Sequence, residues 1–423
     1  MVNLHRTIEA LWRIESPKLI ASLARMVRDV GLAEDLAQDA LVAALETWPQ
    51  SGIPDKPGAW LMAAAKNRAV DKLRRHKRLQ QKMEEYGRER GEQLTVDRPD
   101  FDAALDHEPA IDDDLLSLVF TACHPVLSTE ARVALTLRLL GGLSTDEIAR
   151  AYLVQESAIA QRIVRAKRTL TEARVPFETP RGTELVPRLA SVLEVIYVIF
   201  NEGYLASSGE HWMRPALCDE ALRLGRILAA LMPDISEVHG LVALMEIQAS
   251  RIGARTGPHG EPVLLLDQNR SLWDQLLIRR GLSALEKAER AASSPISAVL
   301  GQYALQAEIA ACHAQARLES DTQWEKIAAL YDALSQAAPS PVVELNRAMA
   351  VAMAYGPAAG LEIVDGLLGD PSLQNYHWLP SVRGDLLFKM GRVAESAAEF
   401  QRAAALTRNE REKALLLERA GGA

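Results

Sequence analysis

Apolar residues recur at helical spacing in segment after segment of this chain, and that period predicts an all-α protein. From Gly31 to Trp48 the sequence GLAEDLAQDALVAALETW sets Leu36, Ala40, Leu41, Ala44 and Trp48 on one side. Asp35, Asp39 and Glu46 fall within a narrow arc opposite, a pattern that by itself means a solvated face. The following PQSGIPDKPG (49–58) is too rich in proline and glycine for the interior of a helix or strand. A second helix, AWLMAAAKNRAVDKLRRHKR (59–78), is expected to turn Met62, Ala69, Val70 and Leu73 inward and Arg68, Lys72 and Arg75 outward. Lys66, Arg74, Lys77 and Arg78 add charge around it against one acid, Asp71. Cations near a helix C-terminus suit the macrodipole. They also suit phosphate contact, where each neutralised phosphate releases a counterion.

Residues 79–113 are strongly charged, poor in aliphatics and broken by Gly and Pro, which predicts a flexible linker between a helical unit over 1–78 and another over 114–175. An apolar helix (LLSLVFTACHPVL) starts the second unit and leads through Thr129–Leu140 into LSTDEIARAYLVQESAIAQRIVRAKRTL (143–170). That stretch reads as a helix-turn-helix. Ser144 caps its first helix, and Glu147 three residues on completes a capping box. Ile148 and Ala149 face inward before a turn at Tyr152, Leu153 and Val154. In the second helix Ile159, Ile163, Ala166 and Leu170 form one apolar stripe. Ser157, Gln161, Arg165 and Arg168 form the opposite ridge, flanked by Arg162 and Lys167, with no acid among them. A helix in the DNA major groove needs this division between a buried stripe and outward donors and cations. A merely solvated helix usually mixes both signs of charge.

Pro176, Pro180 and Gly182 end that unit, and helices resume from Leu185. The segment 183–290 predicts LVPRLASVLEVIYVIFNEGYLA, RPALCDEALRLGRILAALMP and SEVHGLVALMEIQASRIGA, a loop RTGPHGEPVLLLDQNRSLWD, and a helix from about Gln275 to Ala291. Asn201, Glu202, His211, Arg214, Glu220, Arg251, Arg255, Asp267, Arg270 and Trp273 punctuate these apolar helices. Polar groups there must be paired or solvated, so an inter-helix network is favoured over a ligand pocket. Within 291–423, paired short helices begin at Trp324, and His377–Arg408 fits the tetratricopeptide template of about 34 residues. Gly384 and Gly391 take its close-packing positions and Phe400 and Ala403 its later ones. Gly356 lies thirty-five residues before Gly391.

The formal net charge of −8 excludes a generally basic DNA-coating protein, so nucleic-acid contact must come from local patches. Cys123, Cys218 and Cys312 are far apart, which predicts buried thiols in a reducing cytoplasm and no disulfide framework. Cys123, His124 and His107 lack a fourth partner for a metal, and no cofactor is implied. There is no N-terminal apolar h-region and no run near the ~20 apolar residues of a membrane span, so a soluble, cytoplasmic protein is expected.

Taken together, the acidic amphipathic helix, the proline-rich loop, AWLMAAAKNRAVDKLRR, the charged linker and a helix-turn-helix ending IVRAKRTL resemble the extracytoplasmic-function sigma factors of bacterial RNA polymerase, over roughly residues 5–172. FNEGYLASSGEHWMRPALCDEALRL and LLLDQNRSLWD resemble the subgroup with a long helical C-terminal extension. The resemblance implies that Asp35, Asp39, Leu41 and Val42 meet core polymerase. It implies that Trp60, Lys66, Asn67, Arg68, Lys72, Arg74 and Arg75 melt and read the −10 element. It implies that Ser157, Gln161, Arg162, Arg165, Lys167 and Arg168 read the −35 element. The expected partners are core RNA polymerase and promoter DNA, with covalent catalysis absent. The C-terminal half is expected to form one helical body that controls the DNA-binding half, through an intramolecular contact or a protein partner. A helix-turn-helix regulator with a tetratricopeptide-like sensor is the runner-up, but it has no need of the elements at 31–78. An enzyme over 185–290 is disfavoured because no nucleophile–base pair emerges.

Overall fold

The computed structural model describes residues 2–90, 111–152, 154–205, 213–257, 261–292, 300–407 and 409–422. Among the described residues every extended regular element is a helix, and β-structure is limited to an isolated bridge between Thr256 and Pro262. The chain divides into two compact units, Met1–Val195 and Ile196–Ala423.

The first unit begins with α1 (Val2–Val27), α2 (Val30–Ser51) and α3 (Pro57–Arg90). α2 starts where Asp29 accepts the Leu32 N–H at 2.8 Å, satisfying one of the donors a helix start leaves open. Leu36, Ala40, Ala44 and Trp48 are buried as their spacing predicts, and Leu41 is half-buried. That side packs against α1, whose Leu19 and Leu23 are buried too. On α3 the buried stripe is Leu61, Ala65 and Ala69, with Met62 and Val70 only half-buried. The expected inward set was therefore rotated toward the larger side chains, whereas close packing on α1 and α2 selects the alanines. α3 also runs to Arg90, so residues 79–90 continue the helix where a linker was expected. The remainder of that linker, 91–110, lies outside the described residues, as do the turn residue Leu153 and His107.

α4 (Ile111–Ala122), α5 (Thr129–Leu139), α6 (Thr145–Tyr152) and α7 (Glu156–Glu172) complete the helix-turn-helix body. Hydrogen bonds from beyond Pro176 brace this body. In α8 (Leu185–Tyr204), Arg188 donates to the Phe120 carbonyl at 2.9 Å, and Ser191 to the Cys123 carbonyl at 2.6 Å. The first turns of α8 thus satisfy α4's terminal carbonyls, and the first unit reaches Val195. Cys123 bonds to Thr136 and His124 accepts the Val126 N–H, so this pair serves local structure.

The second unit holds the rest of α8, then α9 (Pro215–Leu231), α10 (Ser236–Ala249), α11 (Gln275–Ala292), α12 (Gln302–Gln315), α13 (Trp324–Ala337), α14 (Pro341–Tyr355), α15 (Pro357–Gly366), α16 (Trp378–Lys389), α17 (Val393–Leu406) and α18 (Glu410–Gly422). α10 is buried all round, between α9, α11 and α12. Several of the polar residues anticipated in this region are paired, His211 lying outside the described residues. Arg214 pairs with Glu202, Arg255 lies 3.4 Å above the Tyr204 ring, and Arg270 stacks on Trp273 while donating to the His313 and Ala316 carbonyls. From α14 on, consecutive helices form pairs. Gly356 and Gly391 hold the equivalent turns with φ of 103° and 77°, which glycine adopts without strain. At Gly384 a Cβ would lie 3.1 Å from the Phe400 ring, which explains the small residue at that crossing.

Candidate nucleic-acid interface

The capping box forms as its residues predict: Ser144 Oγ accepts the Glu147 N–H at 3.1 Å and Glu147 accepts the Ser144 N–H at 2.8 Å. It starts α6 and aims the turn into α7. Ile159, Ile163, Ala166 and Leu170 are all buried. Ser157, Gln161, Arg165 and Arg168 are exposed on the opposite side and Arg162 is half-buried. Arg168 pairs with Glu172 one turn on at 2.7 Å, and both remain open to solvent, so the pair competes weakly with any other anion. Gln161, Arg162 and Arg165 line a groove of about 500 Å³ against the start of α5.

Lys167 behaves differently from the ridge it was expected to flank. It turns to Glu34 on α2, Nζ to Oε2 at 2.5 Å, and Arg138 of α5 reaches the same carboxylate at 2.6 Å. Glu34 is 3% exposed. Burial alone would raise its carboxyl, but the two cations hold it below the ordinary carboxylate value. The rest of this seam is also polar. Arg13 pairs with the capping residue Glu147, Arg25 pairs with Asp114 at 3.0 Å, and Thr171 donates to Asp29 at 3.3 Å. Glu34 escaped the sequence reading because it lies at the margin of an otherwise apolar stripe, where a carboxylate is ordinarily solvated. Its cations come from residues 138 and 167, and no local signal links them.

On α2, Asp35, Asp39 and Val42 are exposed along one accessible face, and Leu41 is half-buried on the flank of the apolar side. On α3, Asn67, Lys72 and Arg74 are exposed and Lys66 is half-buried. Arg68 is half-buried and donates to the Asp39 carbonyl, tying α3 to α2 where an outward side chain was expected. Trp60 is half-buried and packs edge-on against Trp48 with centroids 5.4 Å apart. Arg75 is on α3, but its side chain lies outside the description.

Two family models cover these bodies: sigma-70 region 2 matches residues 11–79, and sigma-70 region 4 matches residues 117–170. The chain is also 29% identical over 175 residues to a probable extracytoplasmic-function RNA polymerase sigma factor, SigI, of Mycobacterium tuberculosis. That match covers 40% of this chain and 57% of SigI. The chain belongs to the sigma-70 family of RNA polymerase sigma factors. It is of the extracytoplasmic-function type with a C-terminal extension, so its partners are core RNA polymerase and promoter DNA. Within the extension, residues 188–289 match a family of unknown function (DUF6596). An uncharacterized protein of Rhizobium meliloti is 41% identical over 405 residues, covering 95% of this chain and 92% of the relative. The whole architecture, extension included, is therefore shared. No helix among the described residues is long and apolar enough to cross a membrane.

Proposed function

We propose that this sigma factor divides its work among three faces. Asp35, Asp39, Leu41 and Val42 of α2 meet core polymerase. Trp60, Lys66, Asn67, Lys72, Arg74 and Arg75 of α3 handle the −10 element, with Arg68 bracing α3 on α2. Ser157, Gln161, Arg162, Arg165 and Arg168 of α7 read the −35 element. Residues 196–423 form a helical regulatory body with tetratricopeptide-like pairs at its end. The observation that carries this reading is the clean division of α7, with four buried apolar residues against an outward ridge of donors and cations. Lys167 joins that ridge when its bond to Glu34 opens. The free protein is therefore a closed form, in which α2 holds back one cation of the reader. The chemistry throughout is binding and strand separation.

Core association is the first step to test. Reversing Asp35 and Asp39 to Lys leaves helicity unchanged, because both side chains are exposed, and weakens capture by purified core polymerase. Equal capture of the double variant and the wild-type chain removes the acidic face from the mechanism.

A further inference from the structure

The corner between α1 and α2 and the C-terminal end of α7 line a cavity of about 680 Å³ that shares only Lys167 with the three faces above. Four cations reach its walls, Arg25, Arg28, Lys167 and Arg174, against two acids, Asp29 and Glu178. Arg25 and Lys167 already hold Asp114 and Glu34. Asp29 is engaged too, one oxygen capping α2 and the other accepting from Thr171. Arg28 and Arg174 are both exposed, and no side-chain hydrogen bond or ion pair engages either among the described residues.

These two arginines share a further property. Among the described residues they are the non-glycine positions with left-handed backbone, φ 53° and 49°. The other left-handed positions are Gly52, Gly142, Gly182, Gly356 and Gly391. Each arginine follows the end of a helix, α1 or α7, where glycine is the unstrained choice. A cation complements a helix C-terminus, and that would account for each arginine singly. It does not account for both strained corners opening on one hollow, which is the kind of place where backbone strain collects for function. A third wall is the N-terminus of α2 at Val30, where the positive end of a 22-residue helix favours an anion. Phe177, half-buried, adds an aromatic surface to the same wall as Val175 and Pro176.

We propose that this cavity binds a nucleoside polyphosphate, with the phosphates on Arg28, Arg174 and the start of α2 and the base against Phe177. The volume lies within the range of small-ligand sites. A duplex would meet a ridge more readily than a hollow, and the α7 wall of this hollow begins at Lys167, about 15 Å along the helix from Ser157 and toward its C-terminal end. A ligand there joins α2 to α7, and so strengthens the form in which Glu34 holds Lys167. That last consequence rests on α7 being the DNA reader, whereas the binding itself does not.

Isothermal titration of the full-length protein with ADP tests the site, with pyrophosphate as competitor and adenosine as control. Saturable one-to-one binding of ADP, displaced by pyrophosphate and absent with adenosine, is expected. Arg28→Gly/Arg174→Gly removes both guanidiniums at positions whose backbone suits glycine, so the fold survives and ADP binding falls at least roughly tenfold, the scale of one lost charge-assisted hydrogen bond. Arg28→Lys/Arg174→Lys keeps the charge and should retain part of the affinity, which gives a second reading should the glycine pair misfold. The proposal is overturned by the absence of saturable ADP binding to the wild-type chain. Equal binding by the double variants overturns it too, as does displacement of ADP by promoter duplex with no effect of pyrophosphate. None of these readouts uses transcription, so their failure leaves the sigma-factor reading intact.

Discussion

Glu34 shows how much one side chain can decide. A buried carboxylate held by two cations is costly to disturb from either side, because removing one partner leaves the other charge unpaired, typically at a cost of about 3–5 kcal/mol. Arg165 and Arg168 are the contrasting case, exposed cations with no burial to satisfy. If they bond guanine edges, Arg165→Ala and Arg168→Ala each cost about 1–3 kcal/mol in duplex affinity, lost at particular base pairs. Salt-dependent binding to promoter duplexes with single substitutions checks this, and a uniform loss across sequences would assign the two residues to phosphate. His313 sets a pH limit on the second unit. Burial, aided by Arg251 and Arg270, pushes its imidazole down to about 4. The unfolded chain takes up its proton near the ordinary 6.5, so full stability holds above that value and declines as pH falls toward 4. Between pH 7 and 5 this amounts to about 1–2 kcal/mol. Urea unfolding at both pH values, with His313→Gln as the flattened comparison, measures it.

At the scale of elements, α7 is divided between its outward ridge and a contact with α2. α7 buries its apolar stripe in its own domain and offers its ridge outward, but Lys167 is turned back to α2. Glu34→Gln weakens that hold without touching the α7 ridge. The expected result is stronger promoter-duplex binding by the free protein and little change once core polymerase is bound, since the closed form is then already open. Filter binding with and without core enzyme separates the two states. If free-protein binding stays the same, the bond between α2 and α7 restrains nothing. Acid would mimic the substitution only below the ordinary carboxylate range, because the Glu34 carboxyl is held low.

At the scale of the whole molecule, the first unit extends to Val195. A chain ending at Pro176 lacks Arg188 and Ser191, leaving the Phe120 and Cys123 carbonyls of α4 without those donors. It should unfold more easily than a chain ending at Val195, by about 1–3 kcal/mol if the freed carbonyls stay buried. Thermal melts of the two truncations test that boundary. The Val195 version also separates the extension's role from folding. Run-off transcription with core polymerase should differ between it and the full-length protein at matched concentration, and equal output would mean that residues 196–423 serve another partner.

Much of this was legible in the residues alone. The stripe of α7, the capping box at Ser144, the buried side of α2 and the glycine-marked turns at 356 and 391 are local patterns with local causes, and helical period or backbone freedom is enough to read them. Local reading failed where neighbours chose among equivalent faces. Ala69 is buried as expected, but Leu61 and Ala65 share its stripe where Met62 and Val70 were expected, because the packing of α3 on α1 and α2 sets which face turns inward. The helix through Arg90 outlasts its own apolar pattern, since a helix once nucleated extends at little cost. Arg68 and Lys167 looked outward by spacing, yet the Asp39 carbonyl and Glu34 turned them inward. The pairing of Glu34 with Arg138 and Lys167 joins residues more than a hundred positions apart, and only the folding of α5 and α7 against α2 could decide it.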